Sequence, residues 1–225
     1  MANFILAGLF TEGTTDISFL ASVIERTLEE VVFYCKGEFE TRLEIINIDK
    51  KGLSFDKQVL NASQQGLEKF SITLLFVHTD ADASTDTNIF NSKIIPAQSL
   101  LDSEQDNIVC KKMVAIVPIQ MTESWMIADK TLLKEEIGID KSDADLGIHK
   151  NPEEIWNPKS VIEDIIRQSK AEQTKRKRRK GLNISELYQI IGRKIELTEL
   201  EKLSSYLKFK KSLIEKLTEL NFYQS

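Results

Sequence analysis

The stretch FILAGLFTEGTTDISFLASVIERTLEEVV, residues 4–32, decides the fold class, because it joins a short apolar run to an amphipathic helix. The run Phe4–Phe10 is rich in Ile, Leu and Phe, as expected of a strand covered on both faces. Apolar residues recur at helical spacing in Thr15–Val32. Gly13 lies between the two and permits a tight strand-to-helix turn. This unit is typical of the beginning of an α/β fold.

Strand-like and helix-like runs continue to alternate after this unit. Three more apolar runs, Leu43–Ile48, Ile72–Val77 and Met113–Ile119, predict buried strands. Helical patterns lie between them at Phe55–Phe70 and Asn88–Leu101. Alternation of this kind predicts a mostly parallel, Rossmann-like sheet of about four strands flanked by helices.

The second half of the chain has a helical pattern. We predict short helices around Ser124–Glu136, a helix from Lys159 to about Gln173, and helices throughout Ile184–Leu220. The expected organisation is therefore an α/β core at residues 1–130, followed by a C-terminal helical extension at residues 131–225.

Composition limits the class of protein. A chain of 225 residues with 41% hydrophobic residues can build its core without disulfides or a structural metal. We expect Cys35 and Cys110 to be unpaired thiols in a reducing, cytoplasmic environment. The apolar N-terminal run has no basic leader and is too short to span a bilayer. A net charge of −5 argues against a uniformly basic nucleic-acid-binding surface.

Acidic residues follow three of the four predicted strands. Glu12 and Asp16 follow the first strand, Asp80 and Asp82 the third, and Glu123 the fourth. The carboxyl ends of parallel strands lie at one edge of a sheet, so these acids are expected to converge there. Converging carboxylates repel one another unless a cation neutralises them, and Mg²⁺ prefers oxygen ligands. The sequence therefore predicts a site for one or two Mg²⁺ or Mn²⁺ ions.

Each of these residues also has a simpler interpretation. Asp80 and Asp82 could belong to a polar loop, and Asp16 and Glu123 could be charges that stabilise helix starts. His78, two residues before Asp80, could be a ligand or a base, but a histidine at a strand end is more often held by structural hydrogen bonds. Convergence of the acids favours the metal-binding interpretation.

The order of these motifs resembles a known family. Glu-Gly after the first strand and Asp-x-Asp after a later strand are similar to the TOPRIM domain of topoisomerases, primases and OLD-family nucleases. Asp16, four residues after Glu12, matches the OLD-type variant. TESWMIAD, residues 122–129, resembles a segment of small standalone TOPRIM-like proteins of prokaryotic genomes (DUF4276-like), some of which lie among phage-defence genes.

The resemblance implies a metal-dependent nuclease, active on DNA or RNA through a metal-activated water, with a role in phage defence. Glu12, Asp80 and Asp82 match the core motif, which implies catalytic roles and ligation of the first metal. Asp16 and Glu123 match the nuclease-type additions, which implies ligation of a second metal. Neither a topoisomerase-type tyrosine context nor a primase zinc domain is recognisable, so strand passage and primer synthesis are disfavoured.

The segment KRKRRK, residues 175–180, is strongly basic. It could bind a nucleic-acid backbone through Lys175, Arg176, Lys177, Arg178, Arg179 and Lys180. It could instead supply one cation to the metal site, for which Lys180 is the best candidate. A solvated loop is the third interpretation.

Two other functions remain open on the sequence. The protein could be a catalytically silent regulatory or binding component of a toxin–antitoxin or defence system, acting through a partner protein. The amphipathic tail would also support a homodimer. Asp80-x-Asp82 also suggests a haloacid-dehalogenase-type phosphatase, although that family usually carries this motif on its first strand.

Overall fold

The computed structural model describes residues 3–172 and 182–223. It confirms the predicted α/β fold with one parallel four-stranded sheet. The strands are β1 (Asn3–Thr11), β2 (Phe39–Ile45), β3 (Leu74–His78) and β4 (Met113–Ile116). Their order in the sheet is β2-β1-β3-β4, and each neighbouring pair is parallel.

Helices connect the strands and follow the sheet. The helices before β4 are α1 (Ile17–Val32), α2 (Phe55–Phe70), the short α3 (Thr87–Ile89), a π-helical turn (Phe90–Ile94) and α4 (Ile95–Ser103). Those after β4 are α5 (Thr122–Met126), α6 (Lys130–Ile137), a 3₁₀ turn (Pro152–Glu154), α7 (Pro158–Glu172), α8 (Ile184–Lys194), α9 (Leu197–Leu200) and α10 (Ser204–Glu219). None of the described helices is long and apolar enough to cross a bilayer.

The sheet separates two apolar cores. Leu74 and Phe76 of β3 enter the core formed with α1 and the C-terminal helices. Leu75 and Val77 enter the core formed with α2 and α4. Successive residues of a strand point to opposite faces, so one short strand supplies both cores. The molecule therefore has three layers, with helices on both faces of the sheet.

Two predicted strands, β2 and β4, differ most from those observed. β2 begins at Phe39 and ends at Ile45, and its residues are half-buried or exposed, because it is an edge strand. Its charged residues at alternate positions face solvent, so the strand does not appear in the sequence as a continuous apolar run. β4 ends at Ile116, before Pro118, which has no N–H to donate to a ladder.

The C-terminal helices pack directly on the first crossover helix. The Arg26 guanidinium donates to the carbonyl oxygen of Ile195 at 2.7 Å, just beyond the end of α8. The hydroxyl oxygens of Thr27 and Tyr206 lie 2.8 Å apart in the core. Gly192 lies so close to α1 that a Cβ atom there would be 2.7 Å from the Phe19 carbonyl oxygen. These contacts fix α8 and α10 against α1. The division at residue 130 stays a prediction.

A buried carboxylate holds the start of α10. Glu153 is 8% exposed and accepts hydrogen bonds from the backbone N–H groups of Ser204 (3.1 Å) and Ser205 (2.8 Å). It also accepts one from the Ser204 hydroxyl at 2.7 Å. The N-terminal N–H groups of a helix have no partner within the helix, so this acid satisfies them from another part of the chain.

Replacing Glu153 by alanine is expected to lower the free energy of unfolding by about 2 kcal/mol, because buried donors lose a charged acceptor. Urea unfolding followed by circular dichroism measures this change. Glu153→Gln keeps one acceptor oxygen and should lose clearly less. Equal losses in the two variants would contradict the proposed helix-capping role.

Candidate metal centre

Two loops at the carboxyl edge of the sheet are tied to each other by their backbones. Ala81 N donates to Pro118 O at 3.0 Å and Asp82 N donates to Gln120 O at 2.8 Å. Gln120 N donates in return to Ala83 O at 3.0 Å. Asp82 and Gln120 both adopt left-handed backbone conformations, with φ of 48° and 63°. Such conformations are costly for residues other than glycine and persist where surrounding contacts enforce them. The loops after β3 and β4 therefore form one paired unit.

Three side chains at this edge are close enough to share an ion. One nitrogen of His78 and one carboxylate oxygen each of Asp16 and Asp80 lie within 4.8 Å of one another. Ligand atoms around an ion with bonds of about 2.1 Å lie up to about 4.2 Å apart, so a small movement would complete the site. Asp16 comes from the start of α1, whereas His78 ends β3 and Asp80 follows it.

The burial of Asp16 and His78 is the environment expected of ligands to a bound cation. Asp16 is 8% and His78 is 1% exposed. Within the described residues, Nδ1 of His78 is a buried nitrogen with no hydrogen-bond partner. Unsatisfied buried polar atoms are rare and often mark a missing ion or water. Imidazole together with two carboxylates suits Mn²⁺ and other transition ions better than an all-oxygen set does.

Asp80 is oriented by Thr122 at the start of α5. Its Oδ1 accepts hydrogen bonds from the Thr122 backbone N–H at 2.8 Å and from the Thr122 hydroxyl at 3.1 Å. The same hydroxyl lies 3.0 Å from Nε2 of His78, which is 3.3 Å from Asp80 Oδ1. Thr122 thus positions both an acid and the histidine. Contacts of this kind around a metal ligand fix its orientation.

Glu123 is not one of the three grouped side chains. Its side chain is 2% exposed, and Oε1 accepts a hydrogen bond of 2.5 Å from the Tyr188 hydroxyl. Lys159 Nζ lies 3.9 Å from the same oxygen. Burial raises the pKa of Glu123, while the Tyr188 hydrogen bond opposes that shift. Burial and the neighbouring carboxylates raise the pKa of Tyr188, so its hydroxyl stays a donor.

Glu12 is paired with a lysine of the π-helical turn. Lys93 Nζ lies 2.9 Å from Oε1 and 2.7 Å from Oε2 of Glu12, and the Thr79 hydroxyl donates to Oε2 at 2.5 Å. Burial alone would raise the pKa of Glu12, but the hydrogen bonds from Lys93 and Thr79 outweigh it, and the pKa is lowered. Glu12 is therefore ionised and already neutralised by a cation of the protein.

The remaining acids carry charge that lacks full compensation. Burial raises the pKa of Asp16, and the Asp80 carboxylate raises it further, although His78 opposes the shift. Burial raises the pKa of Asp82, and Asp80 again adds to the effect. Raised pKa values show that ionisation is disfavoured here, which is the condition that a bound cation relieves.

The structure groups the acids differently from the resemblance, which implied Glu12, Asp80 and Asp82 around the first metal. Asp16 and Asp80 lie together with His78, which also forms the structural hydrogen bond expected of a histidine at a strand end. Glu12, Asp82 and Glu123 are not members of this group. The signal for His78 was its position: residues two apart at the end of a strand point to the same face.

Other contributors were missed because they lie far along the chain from the acid they contact. Lys93, Lys159 and Tyr188 each contact a predicted acid, but nothing in their local sequence marks them. Thr122 lies in the motif of residues 122–129, but its contact with Asp80 was not predicted. The basic segment 175–180, including Lys180, lies outside the described residues.

Replacing His78 by glutamine is expected to weaken Mn²⁺ binding by about tenfold or more and Mg²⁺ binding by less, because imidazole favours transition ions. Calorimetric titration with each ion measures both affinities. Gln189→Ala, on an exposed part of α8, serves as the control. An unchanged Mn²⁺ affinity would show that His78 is not a ligand.

Comparison with known proteins identifies one family. Residues 11–207 match the family described as Domain of unknown function (DUF4276). No curated protein and no solved structure matches the chain. The matched region includes Glu12, Asp16, the Asp80 loop, Glu123 and Tyr188, so the whole candidate site lies within it.

Proposed function

The chain belongs to the DUF4276 family, and we propose that it is a divalent-metal-dependent nuclease that hydrolyses phosphodiester bonds of DNA or RNA. The observation that carries this proposal is the cluster of Asp16, His78 and Asp80 at the carboxyl edge of a parallel sheet. Ligands bind at this edge in open α/β sheets. The similarity of the acidic motifs to the TOPRIM domains of OLD-type nucleases supports phosphoryl chemistry in particular.

Each residue of the site has a defined task in this proposal. Asp16, His78 and Asp80 would hold the ion, and Thr122 keeps Asp80 and His78 in place. A bound divalent ion supplies Lewis acidity toward a phosphate oxygen and makes water more acidic. Asp82, two residues after Asp80, would accept a proton from water in this proposal.

Recognition of a polyanion at an acidic edge requires positive charge. Lys159 is 40% exposed beside Glu123, where it can contact a phosphate. By sequence, the segment 175–180 adds six cations shortly after the end of α7. Cations of this kind bind the nucleic-acid backbone without reading its sequence. Mg²⁺ or Mn²⁺ would neutralise the carboxylates that otherwise repel the substrate.

The test is cleavage of single- and double-stranded DNA and RNA with Mg²⁺ or Mn²⁺, in the wild type and in Asp16→Asn. We expect cleavage that needs the ion and is lost in the variant. Asp102→Asn, an exposed acid at the end of α4, is the matched control. Metal binding without cleavage of any substrate would instead favour a component that depends on a partner protein, and full activity of Asp16→Asn would refute the assigned site.

A further inference from the structure

The Lys93 side chain forms an ion pair with Glu12, one of the acids that follow the strands. Its ammonium contacts both oxygens of Glu12, at 2.9 and 2.7 Å, and the Thr79 hydroxyl at 3.2 Å. Its charge also acts on Asp82. Glu12 and Asp82 both follow strands of the sheet, yet neither belongs to the group formed by Asp16, His78 and Asp80. The acidic edge is thus divided into two parts, and one of them holds a lysine.

A local irregularity of the helix brings Lys93 to this place. Residues Phe90–Ile94 form a π-helical turn between α3 and α4. A π turn inserts one residue into a helix, which changes the direction of the side chains around it, and such turns are frequent at functional sites. Lys93 Nζ also lies 5.2 Å from the centre of the Phe55 ring, a cation–π contact that restrains it. The Glu12 ion pair and the Phe55 contact therefore both restrain the lysine.

We propose that Lys93 is a built-in cation that replaces a second metal ion, so that the protein binds one divalent ion, at Asp16, His78 and Asp80. This inference rests on the proposed metal-dependent function and specifies its metal content. Two observations support it. The Lys93 ammonium lies within hydrogen-bonding distance of both Glu12 carboxylate oxygens. Among the described residues no other cation forms an ion pair with this carboxylate, since Lys50 contacts the Glu12 backbone carbonyl oxygen instead.

A fixed ammonium has a chemical consequence for the substrate. Lys93 is 26% exposed, so its positive charge would act on a substrate phosphate at this edge while the Glu12 and Thr79 contacts hold the amine in place. It stabilises negative charge on the phosphate without breaking or forming a covalent bond. An ammonium is always present, whereas a second metal ion depends on its concentration. Activity would then rise with metal concentration as expected for one ion.

The test is the number of Mn²⁺ ions bound, measured by calorimetry and by electron paramagnetic resonance of free Mn²⁺. We expect one ion in the wild type and in Lys93→Arg, which keeps the charge. Lys93→Met removes the charge but keeps the length of the chain, and it should bind two ions. The double variant Lys93→Met/Glu12→Gln should return to one, because the second ion needs the Glu12 carboxylate. Thermal unfolding identifies any variant that fails to fold, and Lys93→Gln replaces Lys93→Met in that case.

The outcomes separate this inference from the proposed function. No bound ion in the wild type would refute the metal-dependent function itself. One ion in both the wild type and Lys93→Met would leave that function standing and overturn the role of Lys93. Two ions in the wild type would also overturn it, since a metal would then displace the lysine.

Discussion

Replacing Asp80 by asparagine is expected to weaken Mn²⁺ binding by more than about 100-fold, which exceeds the usual effect of removing a group behind a ligand. Cleavage should fall by about 10³-fold at a fixed metal concentration. Asp80 is the acid on which the site converges. It belongs to the ligand group, it accepts two hydrogen bonds from Thr122, and its charge acts on Asp16, Asp82 and Glu123.

Asparagine has nearly the shape of aspartate and keeps an oxygen for Thr122, so the loop should stay folded. Calorimetry measures the affinity, and a cleavage assay measures the rate. Asp102→Asn should change neither. Retention of wild-type affinity in Asp80→Asn would exclude Asp80 as a ligand.

Replacing Gly192 by alanine is expected to lower the free energy of unfolding by about 3 kcal/mol. The new Cβ atom would lie 2.7 Å from the Phe19 carbonyl oxygen and 2.9 Å from Phe19 Cα, which are backbone atoms that cannot rotate away. Alanine in a helix normally gains about 0.5–1 kcal/mol over glycine, so the clash has to outweigh this gain. We expect the clash to dominate because α1 and α8 must move apart to relieve it.

This movement would also reach the metal site. Asp16 lies at the start of α1, and Tyr188, which holds Glu123, lies on α8. Gly192→Ala should therefore weaken Mn²⁺ binding even where the protein is still folded. Gln189→Ala, on the exposed side of the same helix, should change stability by less than about 0.5 kcal/mol. Equal stability of Gly192→Ala and the wild type would show that the two helices are not in close contact.

The parts of the fold that the sequence predicts well are those with a strong local pattern. Helix α2 has the predicted bounds, Phe55–Phe70, and β1 exceeds the predicted Phe4–Phe10 by one residue at each end. β2 was misplaced because its charged alternate residues belong to an edge strand, and edge position depends on strand order rather than on local sequence. The π turn at Phe90–Ile94 was missed for a similar reason, since no local pattern distinguishes it from an α-helix.

The candidate site also has a part that the local sequence predicts and a part that it does not. The acids are predictable, because they follow strands that must end at one edge of a parallel sheet. Their partners are not. Lys93 is 81 residues from Glu12, and Tyr188 is 65 residues from Glu123. Which face of a helix meets the sheet edge is decided by packing over the whole chain. His78 lies between these cases, since its position two residues before Asp80 was visible but its burial was not.

The pairing of the loops after β3 and β4 explains why the acids are fixed without a metal. Three backbone hydrogen bonds and two left-handed residues hold Asp80 against Thr122. A site built in advance in this way binds its ion without the cost of ordering a loop. Burial and, to a smaller extent, the Asp80 charge raise the pKa values of Asp16 and Asp82. A cation that binds these carboxylates would stabilise the folded protein.

The most direct measurement is a crystal structure of the protein soaked in Mn²⁺, with the ion located by its anomalous scattering. Our account predicts a peak bonded to Asp16, His78 and Asp80 at about 2.1–2.3 Å, with Lys93 still on Glu12. An empty cluster at millimolar Mn²⁺, or an ion held by Glu12 and Asp82 while Asp16 and His78 remain unbound, would contradict it.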